Sequence, residues 1–159
     1  MGLHRLSMSS DRIRPLAVGI PRREGEIFVS ELYDSTNDER FYRPIGGEVE
    51  FTEYSPMTLV REYNEELGIS IEVGEFLGSI ENLFEVDGTV GHEIVFVYDL
   101  NQTDELWNAT EIKGEDDGGT TFIAEWKPRE VFECGEEQLY PDGLLRLFTE
   151  DTKHVIPQS

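Results

Sequence analysis

Residues 47–69 read GEVEFTEYSPMTLVREYNEELGI, a stretch that carries glycine and charged residues at fixed intervals. The spacing is G-x5-E-x7-R-E-Y-x-E-E-x-G-I, with its glycine and charged positions at Gly47, Glu53, Arg61, Glu62, Glu65, Glu66 and Gly68. Glu62, Glu65 and Glu66 stand at i, i+3 and i+4 of a predicted helix, so we expect them on one face. Carboxylates so close repel each other unless a cation lies between them, and Mg2+ prefers such oxygen ligands. The spacing therefore predicts a metal site on this helix.

The predicted helix has clear start and stop signals. Ser55 suits the N-cap and Pro56 the first helical position, and Gly68 stands where a C-cap is expected. An apolar face is predicted from the helical spacing of Leu59, Val60, Tyr63 and Leu67. The helix thus has one face for packing and an acidic face for metal.

Strands are predicted on both sides of this helix. Before it they cover residues 13–20, 27–32 and 41–45, and Val49 and Phe51 alternate with acids as in a half-buried strand. After it they cover residues 71–80, 82–85, 93–100 and 121–126. Residues 101–119 are acidic and turn-rich and predict an exposed loop, and short helices are expected near residues 128–132 and 141–148. This order favours a mixed sheet with helices on its two sides.

The stretch from Gly47 to Ile69 resembles the Nudix box of the Nudix hydrolase family, G-x5-E-x7-R-E-U-x-E-E-x-G-U with U bulky and apolar. Tyr63 stands where the family usually has an aliphatic residue, and Pro44 is separated from the paired glycines by Ile45. The resemblance implies an α/β/α sandwich with a mixed β-sheet, an α/β or α+β fold. One domain is expected over residues 13–150, with loose tails at residues 1–12 and 151–159.

The resemblance also implies which residues of the box would act. The metal ligands, for Mg2+ or Mn2+, would be Glu62, Glu65, Glu66 and a backbone carbonyl that maps to Gly46. In some members the acid matching Glu62 is instead the general base, and both roles stay open here. Arg61 is expected to pair with Glu53, so that the loop and the helix hold the ligands in place.

Family members often use a further acid from outside the box as ligand or base. Glu125, directly before Trp126 in a predicted strand, is the first candidate. Glu115, Asp116 and Asp117 in the preceding segment are the alternatives. For each of these acids taken singly, a solvated surface charge is the more frequent explanation.

Three residues before the paired glycines are candidates for binding substrate. Arg40 and Arg43 flank Tyr42, so the arginines are placed to contact phosphate while the ring stacks on a base. A partly exposed strand explains the same residues equally well. His92 has no histidine partner at a zinc-binding spacing, so zinc is not expected.

The composition limits the partners of this chain. It has 159 residues with 34 acids and 13 bases, for a net charge of −21, and this negative field opposes binding to nucleic acid duplexes and anionic lipid. The length fits one domain, and neither a membrane span nor a signal peptide is found. The single cysteine, Cys134, allows no intrachain disulfide. We therefore expect a cytoplasmic protein that acts on a small molecule, with a homodimer left open.

These features predict a Mg2+-dependent pyrophosphohydrolase that cleaves a phosphoanhydride bond of a nucleoside diphosphate linked to another group. An NTP, ADP-ribose, a dinucleoside polyphosphate and a nucleotide sugar all fit this description. A non-catalytic Nudix module that senses a nucleotide is the alternative. An isoprenyl-diphosphate isomerase-like activity is a further alternative, but Cys134 lies late in an acidic segment rather than near the box.

Overall fold

The structure is a computed structural model that describes residues 11–35, 37–86 and 88–157. In this described part the strands are β1 (Ile13–Gly19), β2 (Arg22–Arg23), β3 (Glu26–Asp34), β4 (Glu39–Arg43), β5 (Ile45–Glu48), β6 (Glu72–Val86), β7 (Thr89–Asn101), β8 (Glu111–Glu115), β9 (Thr121–Pro128) and β10 (His154–Val155). The helices are α1 (Ser55–Leu67), α2 (Asp104–Trp107), α3 (Glu130–Glu133) and α4 (Arg146–Thr149).

The strands form two sheets. The first has the order β10-β6-β7-β1-β5 and is mixed, because β1 runs parallel to β7 and antiparallel to β5. The second has the order β2-β3-β9-β8, with β4 also paired to β3, and its pairs are antiparallel. The pairing of β1 with β5 brings the paired glycines next to the central strand, where Val18 stands opposite Gly46.

Two apolar clusters place helices on opposite sides of these strands. Leu59 and Tyr63 of α1 are buried with Ala17 of β1 in one cluster. Leu16 of the same strand belongs to the other cluster, with which Leu147 of α4 is buried. Neighbouring residues of a strand point to opposite faces, so the sheet separates the two helices. The predicted α/β/α arrangement with a mixed sheet is confirmed.

Two local predictions are wrong. The segment 101–119 is not an open loop, because α2 and β8 lie within it and Leu106 is fully buried beneath Trp126, whose Nε1 donates to the Leu106 carbonyl at 3.3 Å. Residues 48–51 do not form a half-buried strand, because β5 ends at Glu48 and the chain turns away from the sheet. The Phe51 side chain is 97% exposed as a result.

The two predicted tails have different outcomes. Residues 1–10 lie outside the described part of the chain. The C-terminal segment is not a loose tail throughout, because His154 and Val155 pair with β6 in parallel and Val155 is 1% exposed. Within the described residues, no helix combines the length and the apolar character that crossing a membrane requires.

Candidate functional site

Helix α1 carries most of the candidate residues, and its ends follow from local chemistry. It ends at Leu67 because Gly68 adopts a left-handed conformation, φ 70°, from which its N–H donates to the Asn64 carbonyl. The predicted C-cap is confirmed. At the start, the N-cap is Tyr54 rather than Ser55, because the Ser55 hydroxyl is instead hydrogen-bonded to the Tyr98 hydroxyl at 2.6 Å.

The carboxylates of α1 do not share one exposed face. Glu62 and Glu66 are buried, at 0% and 5% exposure, whereas the Glu65 side chain is 50% exposed. Val60, predicted to pack, is 44% exposed instead. Positions 62 and 66 adjoin the buried positions 59 and 63 on the helix, so these two acids lie on the side of α1 that faces the sheet.

The paired glycines make room for this arrangement. A Cβ placed on Gly47 would lie 2.3 Å from Glu62 Oε2, so only glycine leaves space for that carboxylate. A Cβ on Gly46 would lie 2.0 Å from the Ala17 carbonyl oxygen, because β5 lies against β1 there. One glycine therefore admits the helix acid and the other admits the neighbouring strand.

The two buried acids of α1 interact with each other. Burial raises the pKa of Glu66 to about 8, and its hydrogen bond with Glu62 raises the pKa in the same direction. Two buried carboxyl groups so close together offer the oxygen ligands that a divalent cation prefers, and such a cation would relieve their repulsion. The donor set of this pair therefore suits Mg2+ or Mn2+. Among the residues described, however, no three His, Cys, Asp or Glu side chains already converge as a finished metal site.

Arg61 joins the loop before α1 to the helix. Its Nε donates to Glu53 Oε2 at 2.8 Å and its Nη2 to Glu53 Oε1 at 3.0 Å, a bidentate contact. The same Nη2 donates to the Glu48 carbonyl at 3.2 Å. On the helix side, Nη1 lies 3.0 Å from Glu62 Oε2 and 3.3 Å from Glu65 Oε1. The pairing of Arg61 with Glu53 that the resemblance implied is thus present, and it also fixes two helix acids.

This ion pair should make the fold sensitive to acid. Hydrogen bonds from Arg61 lower the pKa of Glu53 from 4.5 to about 2, so the stability gained from the pair is complete above pH 4.5 and is lost as pH falls through about 2. We expect Glu53→Gln to lower the free energy of unfolding by on the order of 1–2 kcal/mol at neutral pH, with allowance for solvent screening. Near pH 2 the variant and the parent should unfold at the same urea concentration.

Glu50→Gln is the matched control for this experiment. Glu50 Oε2 also approaches Arg61, at 3.8 Å, but the side chain is 67% exposed, so its loss should change stability little at either pH. An equal loss of stability for Glu53→Gln at both pH values would show that the pair does not act through its charge.

The acids outside the box are placed away from these residues. On β9, Ala124 and Trp126 face the core under α1, whereas Glu125 lies on the other face with Lys127. This placement does not support Glu125 as a ligand or base. Asp116 Oδ1 accepts the N–H groups of Gly118 and Thr120, each at 2.9 Å, and so closes the turn between β8 and β9. The two other acids predicted there are exposed, Glu115 and Asp117.

The three candidates for substrate binding separate in the fold. Arg40 is exposed and its Nη2 donates to Glu137 at 2.8 Å. Tyr42 is 2% exposed and packs against Phe132, so its ring is covered and does not present a face for a base. Arg43 is 1% exposed, and its Nε and Nη1 have no hydrogen-bond partner among the described residues.

The sequence interpretation missed one buried acid, Glu93, which is 0% exposed. A signal for it exists in the sequence. In β7 the residues at 95 and 97 are buried valines, and position 93 has the same parity, so it points to the same face.

Three comparisons connect this site to known proteins. Residues 13–148 match the family model described as the NUDIX domain. The chain is 34% identical over 77 residues to the CTP pyrophosphohydrolase of Escherichia coli K12, a match that covers 48% of this chain and 56% of the relative. The chain thus spans little more than half the length of that curated relative.

Solved structures of similar fold cover more of the chain. The solution structure of the E. coli ORF135 protein aligns with a TM-score of 0.56 at 25% identity, covering 86% of this chain and 87% of that one. The crystal structure of a MutT NUDIX hydrolase from Burkholderia pseudomallei aligns with a TM-score of 0.58 at 19% identity, over 76% and 86% of the two chains. At that identity the second likeness supports the fold alone.

Proposed function

Because this chain belongs to the NUDIX domain family, we propose that it is a pyrophosphohydrolase, a hydrolase that acts on acid anhydrides in phosphorus-containing compounds. It would cleave a phosphoanhydride bond of a nucleoside diphosphate linked to another group. The observation that carries this proposal is the folded box, in which Glu62 and Glu66 lie buried together on α1, with Glu62 against Gly47, while Arg61 is held by Glu53.

We propose that the reaction depends on Mg2+ or Mn2+. The groups that would hold the ion are Glu62, Glu65, Glu66 and the backbone carbonyl of Gly46. When bound, a divalent ion neutralises diphosphate charge and lowers the pKa of an attacking water. The burial of Glu62 and Glu66 side by side on α1 supports this proposal, because it brings together two groups with oxygen donors of the type these ions prefer.

The residues of the chain would then position the reacting groups. Glu62 is fixed by Arg61 Nη1 at 3.0 Å and lies over Gly47. A carboxylate held so firmly is suited to accept the proton of the attacking water. This general-base role is the second of the two roles open for Glu62. Arg61 would act through Glu53 and Glu62, by holding the loop and the acid in place, rather than on the substrate.

Arg43 is the group we propose for binding the substrate. Its buried Nε and Nη1 are donors without acceptors among the described residues, and a buried donor gains most from an acceptor that arrives with a ligand. We expect that acceptor to be an oxygen of the substrate, which reaches Arg43 when the side chains covering it move. Arg40 is a weaker candidate because acids already neutralise it.

A substrate panel tests this function directly. The name of the similar E. coli protein makes CTP and the other nucleoside triphosphates the first compounds to assay. ADP-ribose, a dinucleoside polyphosphate and a nucleotide sugar complete the panel, each with Mg2+ and with Mn2+. We expect a nucleoside triphosphate to give the monophosphate and pyrophosphate, resolved by chromatography. Tight binding of a nucleotide without turnover of any compound would favour the sensing module instead.

A further inference from the structure

A second group of polar side chains is buried outside the box, with one member on each of four strands. They are Arg14 on β1, Arg43 on β4, Asn82 on β6 and Glu93 on β7, each less than 5% exposed. Tyr140, from the segment before α4, joins them through its hydroxyl. Burying charged groups is unfavourable unless they are paired. A cluster with this many buried polar and charged side chains therefore requires an explanation.

Glu93 stands at the centre of this group. Its Oε1 accepts the Tyr140 hydroxyl at 3.2 Å, and that hydroxyl accepts Asn82 Nδ2 at 2.6 Å. Its Oε2 lies 3.5 Å from Arg14 Nη1. Oε1 is therefore fixed by a hydrogen bond, whereas Oε2 is attracted by the charge of Arg14 and has no hydrogen-bond donor among the described residues.

Two arginines extend from Glu93 toward the box. Arg14 Nε donates at 3.0 Å to Glu48, the residue that follows Gly47. The Arg43 guanidinium carbon lies 5.5 Å from the centre of the Tyr140 ring. Burial lowers the pKa of Arg43, and the charge of Glu93 is the strongest opposing effect, ahead of Tyr140 and Glu66. Arg43 thus lies within electrostatic reach of both Glu93 and Glu66 of α1.

A role in folding alone does not account for this arrangement. Glu93 balances the charge of Arg43, but it accepts neither of the two buried N–H groups, Nε and Nη1. A guanidinium held by charge and by an aromatic ring, with donors left over, is arranged to receive an acceptor rather than to complete a packed core. Because Arg43 ends β4 only three residues before Gly46, the nearest part of a bound substrate would be its diphosphate.

We propose that Glu93 is a positioning residue for substrate binding. Fixed by Tyr140 and Arg14, it holds Arg43 so that Nε–H and Nη1–H, which have no acceptor among the described residues, meet a phosphate oxygen of the nucleotide. This proposal rests on the proposed function. The strength of diphosphate binding would then depend on a residue of β7, a strand that lies outside the box.

The test is the kinetics of Glu93→Gln, which keeps the shape and the acceptor for Tyr140 but removes the charge. We expect KM to rise at least tenfold, with kcat within threefold of the parent, and inhibition by inorganic pyrophosphate to weaken by a similar factor. In an Arg43→Gln background, Glu93→Gln should add less than a twofold change. Glu111→Gln, an exposed acid of β8, is the control and should match the parent.

Tyr140→Phe keeps the experiment decisive if Glu93→Gln does not fold, because it removes only one hydroxyl. It should also raise KM and weaken pyrophosphate inhibition, each by threefold or more. Unchanged KM in a folded Glu93→Gln or Tyr140→Phe variant would overturn the proposal. A raised KM with unchanged pyrophosphate inhibition would also overturn the proposal, because Arg43 would then contact the nucleoside rather than the diphosphate. A parent protein that turns over no compound would instead count against the proposed function.

Discussion

Glu65→Gln and Glu66→Gln are each expected to lower kcat by roughly 100- to 1,000-fold, the range for losing one group that stabilises charge in the transition state. The fold should survive both changes. Glu65 is half exposed, and burial raises the pKa of Glu66, which favours the neutral form of this side chain in the metal-free chain. Glutamine matches that neutral form in shape and charge. The measurement is kcat at saturating Mg2+, together with the melting temperature with and without the ion.

The thermal measurement separates loss of metal from loss of structure. Mg2+ should raise the melting temperature of the parent, because an ion that binds only the folded state stabilises it. That rise should shrink in both variants. Glu125→Gln is the matched control: it lies on the face of β9 away from α1 and should retain near-parent kcat. Losses below tenfold in both box variants would show that these residues are not ligands.

The helix of the box can be predicted from the sequence more completely than the elements that surround it in the fold. The spacing from Gly47 to Gly68 predicts α1, its glycine C-cap and the contact between Arg61 and Glu53, and these are present in the structure. All of them depend on residues close together in the chain, where helical geometry fixes distances. The strands at residues 13–20 and 121–126 are also predicted nearly in full, because apolar residues dominate them.

The direction in which the box acids point depends on distant partners, and the sequence does not provide it. Glu62 turns inward because Gly47 has no side chain, which is visible only when β5 is placed beside α1. Glu93 is buried because Arg14, Arg43 and Tyr140 come together around it from other elements. The alternation of β7 indicates which face Glu93 points to, but not which charged residues of other elements meet it there.

Gly47→Ala and Gly46→Ala should fail in different ways, although they are neighbours. The Gly47 Cβ would lie 2.3 Å from Glu62 Oε2, and since this is the end of a flexible side chain, the acid can move aside. We expect kcat to fall roughly 100-fold, because a displacement of about 1 Å in a catalytic group has that effect. The melting temperature should change little.

The Gly46 Cβ would instead meet backbone, at 2.0 Å from the Ala17 carbonyl oxygen and 2.7 Å from Val18 Cα. Neither atom can move without opening the pairing of β5 with β1. We therefore expect Gly46→Ala to lower the free energy of unfolding by roughly 3 kcal/mol or more, since overpacking here strains the central sheet. Urea unfolding and kcat, measured on both variants, distinguish the two effects. If Gly47→Ala instead kept kcat within threefold of the parent, the close contact between Gly47 and Glu62 would have no part in catalysis. The acid that accepts the water proton would then have to be sought elsewhere than at Glu62.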